Sequence, residues 1–120
     1  AFAPTPACAA HPYLRDDLRR GRKNDPEQVK LLQAFLNEEM NAGLPVTGFF
    51  GNPTHASVKK FQVKHKKDIL QPWMDAGHGD ADFGNNGTGY VYQTTKRLIN
   101  MMKCPAVALP MPELVPDTNN

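Results

Sequence analysis

Apolar residues recur at three- and four-residue intervals in three long stretches of the chain, and each spacing predicts an amphipathic helix. The strongest runs from 26 to about 41, where Val29, Leu32, Phe35, Leu36 and Met40 form one face. Asp25 can cap it, Pro26 suits its first turn, Gln28 has the spacing of a capping box, and Gly43 offers a stop. Lys30, Gln33, Asn37 and Glu38 read as its polar face. A second helix is expected from about Thr54 to Lys66, with Ala56, Val58, Phe61 and His65 on the apolar side and Asn52 or Thr54 as its cap. A third runs from about Thr94 to Met102 through Leu98 and Ile99 and ends before Pro105. A shorter one is expected where Tyr13, Leu14 and Leu18 share helical spacing ahead of Gly21.

The connecting stretches lack such a period. Residues 44–53 hold two glycines and two prolines around a short apolar island, which predicts a turn with at most an extended pair. Residues 68–89 are longer than an ordinary connection, so they are either functional or pinned by Ile69, Leu70, Trp73 and Phe83 as plugs. The expected fold is therefore all-α, a compact bundle of three main helices plus the short N-terminal one. Its layout is an extended arm at 1–12, a helical domain at 13–104 and a proline-rich tail at 105–120.

The chain also repeats itself. Residues 47–61 and 88–102 align without gaps at an offset of 41, pairing Thr47 with Thr88, Gly48 with Gly89, Phe49 with Tyr90, Phe50 with Val91, Thr54 with Thr95, Val58 with Ile99 and Phe61 with Met102. The repeated unit is a tight turn that drops apolar side chains beneath the start of a helix. Helix 26–41 supplies the third wall of the core.

These anchors resemble the small peptidoglycan-binding domain family. The resemblance rests on Leu32-Gln33, Leu36, Gly43, Val46, Gly48, Phe50, Gly51, Thr54, Ser57-Val58 and Phe61-Gln62, and on Thr88-Gly89, Val91, Thr95 and Ile99-Asn100 further on. It covers about residues 24–103. Thr47, Ser57 and Tyr92 depart from the family's pattern, standing where aspartate, alanine and a later glycine are common. The resemblance implies a non-catalytic module that binds wall glycopeptide in a shallow groove. Such a ligand needs an aromatic surface for sugar faces and amide or hydroxyl groups for peptide, which Phe49, Trp73, Tyr90, Tyr92, Asn85, Asn86 and Thr88 can supply. Gln33 and Gln62 read instead as ties between helix and turn.

Charge and composition narrow the alternatives. The 120 residues carry a net charge of +2, and the lysines 59, 60, 64, 66 and 67 give one helix a basic edge that reads as a solvated face. Specific nucleic-acid binding is not expected, nor a membrane-spanning segment. His11, His55, His65 and His78 lack metal-ligand spacing, and no catalytic constellation is present, so neither a cofactor nor an enzymatic activity is expected. Calcium at Asp80, Asp82 and Asn85 is a weak option, since the loop lacks the glycine and glutamate of an EF-hand. Cys8 and Cys104 flank the helical region and are expected to form a disulfide, the alternative being two unrelated buried thiols. That pairing and the Ala-Phe-Ala-Pro start fit an exported protein. The expected partner is peptidoglycan or another wall polymer. The alternative is a structural subunit of a filament or surface layer that assembles through residues 1–12 and 105–120.

Overall fold

The computed structural model describes residues 12–79, 81–105 and 109–116. Six helices appear among them: α1 (Pro26–Met40), α2 (Asn52–Lys64), α3 (Lys66–Ile69), α4 (Gln71–Asp75), α5 (Ala81–Asn86) and α6 (Gln93–Lys103). Among the described residues the nearest thing to a sheet is one antiparallel bridge between Leu18 and Val91. The all-α expectation holds, with α1, α2 and α6 as its main helices.

Helix α1 begins as its sequence predicts, with the Asp25 carboxylate accepting from Glu27 N at 3.0 Å. Its buried face carries Val29, Leu32, Phe35 and Leu36, which meet Val58 and Phe61 of α2 and Ile99 of α6 in one core. Phe35 and Phe61 pack edge to face with centroids 5.3 Å apart. Helix α2 packs on α1, and α3 packs on α2 and α6. The long connection between α2 and α6 is pinned by Ile69, Leu70 and Trp73, all buried, with Phe83 packed against the core. It folds into three short helices rather than an irregular loop.

Residues 13–20 are not a helix. Leu14 and Leu18 are buried as their spacing requires, but the backbone between them is held by distant side chains. Gln28 Oε1 accepts from Arg15 N at 2.8 Å and Asp16 N at 3.2 Å, so it closes no capping box. Asn100 both donates to Leu14 O and accepts from Leu14 N, at 2.9 and 2.7 Å. Leu18 exchanges two backbone bonds with Val91, at 3.1 and 2.8 Å. These bonds satisfy the main-chain groups that a helix would otherwise pair internally.

Several local expectations shift with them. Gln33 is 2% exposed rather than on a polar face, Ala56 is exposed rather than core-facing, and α2 starts at Asn52 with Gly51 as an N-cap that makes no side-chain bond. The left-handed residue closing α1 is Asn41, at φ 51°, two positions before Gly43. Cys104 is buried at the end of α6, while its expected partner Cys8 and residues 1–11 lie outside the described residues.

Candidate functional site

Two glutamines organise everything around the candidate site. Gln33 of α1 accepts from Thr47 N and Gly48 N at 2.9 and 3.1 Å, while its amide nitrogen donates to Phe49 O and Thr54 Oγ1 at 3.0 and 3.1 Å. Gln62 of α2 does the same for the second turn. It accepts from Thr88 N and Gly89 N at 2.8 and 2.9 Å and donates to Tyr90 O and Thr95 Oγ1 at 2.9 and 3.1 Å. Each glutamine thus fixes the turn that leads into the next helix, and the inner threonine of each turn accepts from the amide of Phe49 or Tyr90. The turn glycines, at φ 84° for Gly48 and 75° for Gly89, are needed twice over. A Cβ at Gly48 would stand 3.0 Å from Pro26 O, and one at Gly89 would enter the His55 ring. Pro26 and His55, both in the first turn of a helix, therefore play the same part.

The second turn presents a stack. Tyr92 stacks on Trp73 with centroids 5.8 Å apart and on Tyr90 at 4.9 Å. The guanidinium groups of Arg19 and Arg22 each lie 5.2 Å from the Tyr90 centroid, and Arg22 donates to the Tyr90 hydroxyl at 2.9 Å. Trp73 Nε1 donates to Thr94 Oγ1 at 3.0 Å, and that hydroxyl donates to Ile69 O at 2.7 Å, which locks the indole. A cavity of about 230 Å³ opens here, lined by Trp73, His78, Phe83, Thr88, Tyr90, Tyr92 and Pro116 among others. Pro116 belongs to the C-terminal tail, which runs along α6, so the chain's own end closes part of this cavity. The three rings come together in one stack that lines this cavity, with two arginines beside Tyr90.

The first turn is open. Phe49 is 74% exposed, and its ring lies against Gly51, where a Cβ would come within 2.8 Å of it. It borders a cavity of about 520 Å³ lined by Arg20, Gly21, Arg22, Asn24, Gly48, Phe50, Gly51 and Asn52. Asn24 shapes that wall by accepting from Arg19 N at 3.2 Å and donating to the carbonyls of Arg19 and Arg22 at 2.8 and 3.0 Å. Arg20 donates to Asn52 Oδ1 at 3.0 Å. A solvent-facing ring thus stands beside guanidinium and carboxamide groups, with no carboxylate among the lining residues. A smaller cavity of about 210 Å³ joins Arg19, Arg20 and His55 to Thr88, Gly89 and Tyr90. Burial, and then the charges of Arg20 and Lys59, hold the His55 imidazole below its ordinary value of 6.5.

Of the residues expected from sequence, Trp73, Thr88, Tyr90 and Tyr92 share one cavity, Phe49 stands at another, and Asn85 and Asn86 are exposed on α5. Arg20, Arg22, Asn24 and Asn52 were not anticipated as site residues. Arg20 reads as the charged end of a helix that does not form, and Asn52 as a cap. Asp80 and the Asp82 side chain, two of the three considered for calcium, lie outside what the structure describes. Among the described residues no group of three or more histidine, cysteine or acidic side chains is placed to hold a metal ion, and no helix is long and apolar enough to cross a membrane.

Residues 25–66 match the family model described as a putative peptidoglycan binding domain. The matched stretch takes in α1, the first turn and α2, including Gln33, Phe49, Gly51 and Gln62. The resemblance read from these residues is thereby shown over that stretch, about a third of the chain. No curated protein and no solved structure matches the chain.

Proposed function

We propose that this chain binds peptidoglycan, without catalysing its turnover, through the cavity beside Phe49. The observation that supports this most is Phe49 itself, a large apolar ring left in solvent within the family-matched stretch and flanked by Arg20, Asn24 and Asn52. Wall glycopeptide offers complementary chemistry: apolar sugar faces for the ring, acetamido and peptide groups for the asparagines, and stem-peptide carboxylates for the arginine. Phe49 is mostly in solvent, so its ring face is accessible to a ligand seated in that cavity.

The chain should co-sediment with purified peptidoglycan. Phe49→Ala should weaken retention by about tenfold or more, which equals about 1.4 kcal/mol, while the helical circular dichroism spectrum stays unchanged. Equal retention of the variant would move the site away from the first turn. No retention on wall preparations of several compositions would overturn wall binding altogether.

The same reading makes the protein an exported one whose ends are joined by a Cys8–Cys104 disulfide, supported by the flanking positions of the two cysteines and the burial of Cys104. Intact mass after alkylation, with and without reduction, should differ by two alkyl groups. Two thiols alkylated without reductant would defeat the pairing.

A further inference from the structure

Arg19 and Arg20 stand on a loop that the fold fixes from both sides. Leu18, just before them, exchanges two backbone bonds with Val91, and Asn24, just after, holds the Arg19 amide and the carbonyls of Arg19 and Arg22. The Arg19 guanidinium is half-buried over the Tyr90 ring, a contact that engages its charge and consumes none of its N–H donors. Arg20 is steadied by its bond to Asn52 Oδ1. Among the described residues the Arg19 side chain donates to no acceptor, and no carboxylate lies within ion-pair distance of Arg19 or Arg20.

Both arginines face the cavity of about 210 Å³ whose other walls are His55, Thr88, Gly89 and Tyr90, with no acidic side chain among them. His55 Nδ1 is buried against Gly89 and has no hydrogen-bond partner among the described residues. The cavity is thus walled by two cations and bordered by a polar atom that the fold does not pair, where buried polar atoms ordinarily are paired. The local field is positive by a separate sign: after burial, the charges of Arg20 and Lys59 are what lower the His55 imidazole. Arg20 also lines the cavity beside Phe49, so the two cavities meet at its side chain.

We propose that the cavity between Arg19, Arg20 and His55 is an oxyanion subsite, which takes a free carboxylate of the wall's stem peptide while the cavity at Phe49 holds the rest of the ligand. This inference rests on the wall-binding reading above and adds a selectivity to it. A guanidinium offers paired N–H groups that match the two oxygens of a carboxylate, and the charge is met as well. A carboxamide in the same place has one acceptor oxygen and no charge, and it turns N–H donors toward two cations. The chain therefore distinguishes stem peptides with free carboxylates from amidated ones.

The probe is a soluble disaccharide–peptide fragment of peptidoglycan, used as the free acid and after conversion of its carboxylates to amides, with binding to the full chain measured by calorimetry. The parent should bind the free acid about tenfold more tightly, the worth of a charge-assisted hydrogen-bond pair. Arg19→Gln with Arg20→Gln should remove that preference and leave the helical spectrum unchanged; if the pair unfolds the chain, Arg20→Gln alone takes its place. Lys64→Gln with Lys67→Gln removes the same charge from the exposed basic edge and should leave the preference intact. Phe49→Ala should weaken both forms by the same factor. Equal binding of the two forms by the parent would overturn the subsite and leave wall binding standing. A preference lost as fully in the lysine variant as in the arginine variant would assign it to net charge and overturn the subsite too. Binding of neither form would overturn both readings.

Discussion

The turns at 47–54 and 88–95 are held by the same set of bonds and end in opposite states. In each, one buried glutamine accepts two backbone amides and donates to a carbonyl and a threonine, and a glycine at positive φ lets the preceding helix approach. Yet the aromatic residue after the glycine stands in solvent in the first turn and is half-buried in the second. Phe49 lies against Gly51, whereas Tyr90 has Tyr92 against it and two guanidinium groups over it. The scaffold does not decide whether the ring is exposed. What does decide it is the residue at each following position: Gly51 in one unit, Tyr92 in the other.

The comparison breaks most severely if the glutamines are not equivalent. Gln33→Ala and Gln62→Ala should each destabilise the fold by roughly 3 kcal/mol, since each leaves a buried threonine hydroxyl and several part-buried main-chain groups without their partner, at about 1–3 kcal/mol for each fully buried group. Urea unfolding should show the two losses within about 1 kcal/mol of each other, the scatter expected of single interactions. A much smaller loss at one site would mean that its turn is held by packing instead.

A moderate effect should separate the rings. Tyr90→Ala removes a stacking partner, two cation contacts and a hydroxyl that accepts from Arg22, and should cost about 1–3 kcal/mol of stability. Phe49→Ala should change it by less than about 0.5 kcal/mol, because its ring is mostly in water. Thermal unfolding of the two variants side by side decides this, and a large loss at Phe49 would place it in the fold rather than in a site.

The smallest effect concerns acid. Burial, Arg20 and Lys59 lower the His55 pKa in the folded chain, so the unfolded chain binds the proton more readily. Stability from this group is complete above about pH 6.5, the ordinary imidazole value, and falls as the pH drops below it. Pro26, the counterpart of His55 at the first turn, does not titrate. Amide exchange should therefore accelerate more at 88–91 than at 47–50 between pH 7 and pH 5, after correction for intrinsic rates, and His55→Gln should remove the difference. Equal acceleration at both turns would assign the acid response to another group, His65 included, which burial also lowers.

The main helices were legible because their apolar period is long and their start and stop residues are local. The repeat was legible for the same reason, and so was the tying role of Gln33 and Gln62. Residues 13–20 were not, since Leu14 and Leu18 have the spacing of a helix while the partners that hold them extended, Gln28, Val91 and Asn100, lie far along the chain. The candidate site followed the same divide. Trp73, Tyr90 and Tyr92 could be grouped from their types and positions, but their stacking on one another depends on packing between α4 and the second turn. The wall of arginine and asparagine beside Phe49 depends on how residues 19–24 fold back, which no local pattern announces.

The glutamine that grips the next turn has no counterpart in α6. Leu32-Gln33 in α1 and Phe61-Gln62 in α2 each reach forward to the unit that follows. Where the repeat brings the third such pair, α6 carries Met102-Lys103. Lysine has no acceptor with which to collect two backbone amides. Its ammonium instead donates to Glu38 Oε2 at 2.8 Å, back at the end of α1. The corresponding pair in α6 thus reaches back to α1 rather than forward to a further turn.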